Sequence, residues 1–365
     1  MIKYFKIPVL FLFLVLAGCS VQNISQTQPP KPKVRNIILF IGDGMGVAQV
    51  YAGMTISPDP LALESFPFAG FIKTYSSDNY ITDSAAGGTA IACGVKTRNG
   101  MIGMGPDSAV VSSIIEIAHK NGLATGVLST STVTHATPAS FVAHNSGRGN
   151  YEDIAKDFLN GTVDVMIGGG EDHFRLREDS TDLTLKLKEQ GYDVVFNLDD
   201  LKNSGSLKIA GFLAKEHMAK SDEGRSGMLA EMTRKAIETL SKDKEGFFMM
   251  IEGSMIDWGA HEKNLNYTAA EVIDLDNAVA VAREFADKNG ETLIVVTADH
   301  ETGGLTLVGG NLQEHRATGN FILSGSHTAV MVPIFSYGPS AEIFSGIHEN
   351  TFFLDEFLNL LNIER

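Results

Sequence analysis

The chain has 365 residues, 44 % of them hydrophobic, with 37 glycines, 11 prolines and a formal charge of −15 at pH 7. That length accommodates two domains or one large α/β domain, and the apolar fraction is sufficient to bury a substantial core. The negative charge argues against a general nucleic-acid-binding surface, although bound cations can reverse the field locally around a small anionic substrate.

The first segments in chain order read as an address rather than as part of the fold. Lys3 and Lys6 give a positive start, and the apolar run IPVLFLFLVLAG is too short for a comfortable permanent span. It ends in Leu16-Ala17-Gly18-Cys19, which resembles a bacterial lipobox. That resemblance implies cleavage before Cys19, a lipid on its sulfur, and residues 1–18 as a lipoprotein signal peptide. Residues 19–35, polar and proline-containing, read as a flexible tether, and residues 36–365 as the folded domain. The expectation is an exported protein, lipid-anchored to a bacterial envelope and facing the periplasm, since no acidic run follows Cys19. The other of the two cysteines, Cys93, is expected to be a small buried apolar residue.

From Asn36 onward, buried strand and amphipathic helix alternate. NIILFIGDG is a short apolar run closed by glycine and aspartate, the pattern of a central parallel strand. ATGVLST, VDVMIGGG, GFFMMIEG and TLIVVTADH repeat it, and AVMVPIFSYG adds a last strand. Helical periods run through SSIIEIAHKNG, LAEMTRKAIETLSK and AAEVIDLDNAVAVAREFADKNG. In DSAAGGTAIACG, Ser84 stands where a helix begins and reads both as an N-cap and as a hydroxyl at a positive helix end. The order predicts an α/β fold: a mostly parallel central sheet with helices on both faces, a three-layer sandwich. Residues 171–225 are expected as a peripheral excursion, residues 302–326 as a hairpin, and NTFFLDEFLNLLN as a packing helix.

Asp43, Glu252, Asp299 and His300 come directly after apolar strand runs, so a parallel sheet gathers them at its carboxyl edge, where ligand sites form. Asp257 and His261 are four apart and share a face on a helical turn. Carboxylate with imidazole suits Zn²⁺, and all-oxygen sets suit Mg²⁺. Three partial sets follow: Asp257, His261 and His327; Asp43, Asp299 and His300; and an oxygen-rich set of Asp43, Glu252 and the Thr137 hydroxyl. On residue types alone, independent salt bridges and caps stay open as the alternative.

NIILFIGDGMG, DSAAGGTAIACGVKT, THATPASFVAHNSGR, IEGSMIDWGAHEKN, TADHETGG and GSHTA resemble, in order and spacing, the motifs of alkaline phosphatases. The resemblance runs from about Asn36 to the end of the chain and implies that this stretch is the catalytic domain of a phosphomonoesterase. It implies Ser84 as the nucleophile that becomes phosphorylated, two zinc ions and one magnesium. Asp257, His261 and His327 would hold one zinc, and Asp43, Asp299 and His300, with Ser84 oxygen, the other. Glu252 and Thr137 would join Asp43 at magnesium, and Arg148 would clamp the phosphate. Small phosphate monoesters are the implied substrates, and the resemblance allows a homodimer.

Two positions depart from part of the family. His135 stands where some branches have aspartate and would reach the third metal directly or through water. Trp258 stands where some members carry a phosphate-contacting lysine. His144, close to Arg148, reads as a structural neighbour, Glu262 and Lys263 as rim residues, and His119, His173, His217, His315 and His348 as solvated or locally bonded. Two other functions stay open: a member of the same superfamily leaning toward phosphodiesters, and a lipid-tethered protein that binds phosphate or zinc without turnover. DSAAGG lacks the Pro and Arg that a sulfatase needs after its modified residue.

Overall fold

β1 (Asn36–Gly42) is buried along its whole length, which explains why its sequence is continuously apolar rather than alternating. It lies at the heart of a ten-stranded sheet in a computed structural model that describes residues 1–4 and 33–365 apart from residue 324. Most of the expected signal peptide, the lipobox with Cys19 and most of the tether lie outside the described residues. Among the described residues, no helix is long and apolar enough to cross a membrane.

The strands that follow are β2 (Phe68–Lys73), β3 (Ala124–Thr132), β4 (Val165–Gly169), β5 (Asp193–Val195), β6 (Ile209–Ala214), β7 (Phe247–Gly253) and β8 (Thr292–Thr297). After them come β9 (Glu301–Thr302), β10 (Leu305–Asn311), β11 (Arg316–Phe321), β12 (His327–Thr328), β13 (Val332–Tyr337) and β14 (Gly346–Glu349). The order across the large sheet is β14-β2-β13-β8-β1-β7-β3-β4-β6-β5. From β8 to β5 every neighbouring pair is parallel. β13, the strand expected from AVMVPIFSYG, runs against both of its neighbours, and β2 and β14 beyond it pair in parallel.

One expectation is corrected. Residues 171–225 are not an excursion away from the sheet, because β5 and β6 lie within them and extend its edge by two strands. β5 is only three residues long and β6 is interrupted by Gly211, so neither carries the extended apolar run that marks the central strands. The hairpin expected within residues 302–326 is present as the antiparallel pair β10–β11.

Two groups of helices cover the sheet. α1 (Val47–Ile56) and the helices Met228–Leu240 and Met255–His261 pack on the long helix Leu265–Asn289. α2 (Ser84–Cys93) packs with Ile114–Lys120 and with the C-terminal helix Phe352–Leu361, whose Phe353 and Phe357 are buried. All ten residues of α2 are buried, so it has no polar face, and small residues let its neighbours approach. A Cβ on Gly87 would stand 3.0 Å from the Asp299 carbonyl oxygen, and one on Gly88 3.0 Å from Ser140 Oγ. Cys93 is among these buried residues, and burial pushes its thiol far up, as expected of a packing residue.

The N-cap of α2 is also corrected: it is Asp83, whose carboxylate accepts from the Ala86 amide at 3.0 Å. Ser84 is the first helical residue. Its hydroxyl is therefore not consumed in capping and is free to face the sheet edge.

Candidate active site

Register brings the site together. Ile41 of β1 pairs with Glu252 of β7 and with Thr297 of β8, so these strands end at one level. Asp43, Glu252, Asp299 and His300 all stand at that edge with no solvent exposure. Helix Met255–His261 starts immediately beyond β7 and turns Asp257 and His261 to one side, with His261 Nε2 3.2 Å from Asp257 Oδ1. β12 brings in His327, whose Nε2 lies 3.7 Å from the same carboxylate oxygen. The Nδ1 of His327 is hydrogen-bonded to the Thr82 carbonyl at 2.9 Å, which makes Nδ1 the donor and leaves Nε2 as a lone-pair ligand.

Three groups of side chains have potential ligand atoms within 4.8 Å of one another: Asp257, His261 and His327; Asp43, Asp299 and His300; and Asp43, His135 and Glu252. His300 Nε2 is 3.3 Å from Asp299 Oδ2 and 3.4 Å from Asp43 Oδ1. Ser84 Oγ lies 3.2 Å from the same nitrogen, so the α2 hydroxyl converges on the second group. Thr137 is buried in the short helix Ala136–Ala139, directly after His135. Arg148 approaches from the α2 side and donates from Nη1 to Asp83 Oδ2 at 2.9 Å.

These groups fit dications. Among the described residues, both Asp43 oxygens, Glu252 Oε1, Asp299 Oδ2, Thr137 Oγ1 and His135 Nδ1 are buried without a hydrogen-bond partner. Buried polar atoms are normally satisfied, so such a concentration marks a place built for something else. Burial and the facing carboxylates of Asp299, Asp257 and Glu252 raise Asp43 well above the usual carboxylate range. Asp299 is raised too, by burial and by Asp257 and Glu252, against the Gly44 amide. Burial also raises Glu252, although Ser129 and Ser254 hydroxyls oppose it. Burial, then His327, lowers His300, and burial with Arg148 and His217 lowers His135 to about 3. Crowded carboxylates beside neutral imidazoles are a ligand set whose repulsion a dication relieves.

Several contributors escaped the sequence. Ser129, Ser131 and Ser254 all donate to Glu252 Oε2, which aims the other oxygen at the third group. The run of hydroxyl residues that ends β3, STST from Ser129 to Thr132, is the trace of this in the sequence. Thr302 donates to Asp257 Oδ1, and against the upward pull of burial the imidazoles of His261, His300 and His327 hold Asp257 below the usual carboxylate range. His217 accepts from the Thr132 amide at 3.2 Å and meets Trp258 edge-on, with ring centres 4.6 Å apart. His144 stands outside the three groups and bonds the Gly103 carbonyl and Glu116, as a structural neighbour does.

The alkaline phosphatase family profile matches residues 34–320. The chain is 37 % identical to alkaline phosphatase 4 of Bacillus subtilis over 313 residues, covering 80 % of this chain and 68 % of that protein. The solved alkaline phosphatase of the Antarctic bacterium TAB5 superposes with a TM-score of 0.87 at 40 % identity, covering 91 % of this chain and all of that one. A variant of the TAB5 enzyme with a histidine changed to aspartate, described with Mg bound in the M3 site, superposes at 0.86 with 38 % identity, covering 92 % of this chain and 100 % of that one. Given the sheet, the three convergent ligand groups and these similarities, the chain belongs to the alkaline phosphatase family of hydrolases.

Proposed function

We propose that the chain hydrolyses phosphate monoesters to an alcohol and inorganic phosphate through a phosphoserine on Ser84, with two zinc ions and one magnesium. The observation that carries this reading is the position of Ser84 Oγ, at the start of α2 and 3.2 Å from His300 Nε2 within the second ligand group. Asp257, His261 and His327 would hold one zinc, and Asp43, Asp299 and His300, with Ser84, the other. Asp43, Glu252 and Thr137 would hold magnesium, with His135 bound directly or through water. When bound, these ions supply positive charge that favours the serine alkoxide and stabilises charge developing on the phosphoryl oxygens.

The chain's own groups do the rest. Ser84 Oγ bonds to phosphorus as the bond to the ester oxygen breaks and the alcohol leaves. Water then displaces the serine oxygen, which releases inorganic phosphate and restores the hydroxyl. The helix N-terminus adds a smaller preference for negative charge at Ser84. Arg148 presents a planar fork to two phosphate oxygens, and Asp83 fixes that fork from behind. The TAB5 variant with Mg in its M3 site carries aspartate in place of a histidine. By the same chemistry, the imidazole of His135 makes the third group here less well matched to magnesium than an all-oxygen set.

The same reading includes export and a lipid on Cys19, supported by the lipobox-like sequence, and a homodimer, supported by the family resemblance. The decisive experiment is hydrolysis of a chromogenic phosphate monoester by metallated protein, with and without chelator, beside the corresponding diester. Acid quenching with labelled phosphate should place label on the peptide containing Ser84. No turnover by fully metallated protein would favour a binder of phosphate or zinc instead.

A further inference from the structure

Glu301 lies between His300 and Thr302 in sequence but on the opposite face of its strand from the metal groups. β9 pairs antiparallel with β12, Thr302 opposite His327 and Glu301 opposite Thr328. Side chains alternate along a strand and cross-strand neighbours share a face. Thr302 and His327 therefore face Asp257, while Glu301 and Thr328 face back toward α1.

On that back face the Glu301 carboxylate, 5 % exposed, is saturated with donors. It accepts from Gln49 Nε2 at 2.7 Å, from the Gly304 and Leu305 amides at 3.2 Å each, and from the Thr328 hydroxyl. Gln49 also donates to the Thr302 carbonyl at 2.9 Å, so one side chain of α1 grips two successive residues of β9. The approach is close enough that a Cβ on Gly46 would stand 2.4 Å from Glu301 Cγ. Among the described residues no cation pairs with this carboxylate, so four hydrogen bonds alone offset the cost of burying it.

Two-residue strands supply too few backbone bonds to hold a ligand-bearing ribbon still. The geometry points to Glu301 as a positioning residue that, from behind the ribbon, sets His327 against Asp257 and His261 and so governs the zinc affinity of that group. The inference rests on the metal-dependent reading above. Glu301→Gln keeps the size of the side chain but turns an NH₂ toward neighbours that are themselves donors, and Thr328→Val removes one donor without touching His327.

The test titrates chelator-stripped full-length wild type, Glu301→Gln and Thr328→Val with Zn²⁺, and records the thermal unfolding of each stripped protein alongside. Glu301→Gln should lower one of the two zinc affinities about 10- to 100-fold, and Thr328→Val should lower the same one by a smaller factor. Activity should recover toward wild type as zinc is raised, with the stripped proteins unfolding close to the wild-type midpoint. Zinc affinities within twofold of wild type in both variants would overturn the proposal alone, as would losses matched by equally lowered midpoints of the stripped proteins. A wild type that takes up no zinc would overturn it together with the reading of the site. Should Glu301→Gln fail to fold, Thr328→Val decides by the same criteria.

Discussion

Asp83 and Arg148, 65 residues apart, meet with Nη1 2.9 Å from Oδ2, and the other carboxylate oxygen of Asp83 caps the helix that begins with Ser84. One side chain thus ties the proposed nucleophile to the proposed phosphate clamp. Oδ2 also accepts from the Gly100 amide at 3.0 Å, which leaves the carboxylate little freedom to turn. Arg148→Ala should lower kcat/KM on the order of 10- to 100-fold, the scale of lost hydrogen bonds to a charged group, with metal content unchanged. Asp83→Ala should act in the same direction and also destabilise the protein by about 1 kcal/mol through the lost cap. Steady-state kinetics beside metal analysis check both.

Removing the metals should leave Asp43, Asp299 and Glu252 buried with unpaired oxygens. The stripped protein is expected to lose all turnover and to unfold at lower temperature, with zinc and magnesium restoring both. If free metal stands about a hundredfold above its dissociation constant, the stabilisation per site is about 2.7 kcal/mol. Calorimetry before and after chelation measures the difference, and an unchanged midpoint would contradict the fit of these groups to dications.

Gly87 sets the distance between α2 and Asp299. Valine there would carry its branches beyond a Cβ already 3.0 Å from the Asp299 carbonyl oxygen. Gly87→Val should weaken zinc binding about 10-fold or more through displacement of Asp299, even though valine suits a helix interior somewhat better than glycine. A zinc titration of the variant at normal affinity would show that the close approach is not required.

His144 offers a pH-dependent contribution to stability away from the metals. Burial works against its charged form, but the Glu116 carboxylate and the Gly103 carbonyl outweigh it and raise the imidazole above its ordinary value. A raised histidine stabilises fully below its unfolded value of about 6.5, and the contribution disappears as pH rises through the folded one. Glu116→Gln keeps the acceptor that caps helix Ile114–Lys120 at the Ser113 amide. The stability gap between wild type and Glu116→Gln should therefore be widest near pH 6 and shrink toward pH 9, as read by denaturant unfolding across that range.

Arg225 is buried against Glu271 and Asp274 of the long helix Leu265–Asn289. Arg225→Met would leave two buried carboxylates without their cation, at a cost of about 3–5 kcal/mol. Because the triad lies outside the three ligand groups, kcat of the folded variant should match wild type. Unfolding and kinetics on one preparation test both halves of this expectation.

Much of the site could be read from the sequence because its residues sit where backbone geometry is regular. Asp43 follows a wholly buried strand, Glu252 closes another, and the four-residue spacing of Asp257 and His261 holds on one helical turn. β5 and β6 were not legible, since three-residue and glycine-broken strands carry no period. Asp83 cannot be told apart as the cap, or as a partner of Arg148, because Ser84 beside it is an equally good capping residue type and only backbone conformation separates them.

The alternation of buried strand and helix, the strand-end carboxylates and the order of the candidate ligand motifs are written in the chain itself. These are local properties, set by hydrophobic period and turn chemistry within a few residues. The folded arrangement sets β13 against its neighbours, uses residues 171–225 to extend the sheet, and joins Asp83 to Arg148. It alone placed Glu301 behind the ribbon that carries His327. Those relations join residues distant in sequence through burial and hydrogen bonding, and such pairing depends on where the chain returns in space rather than on any local pattern.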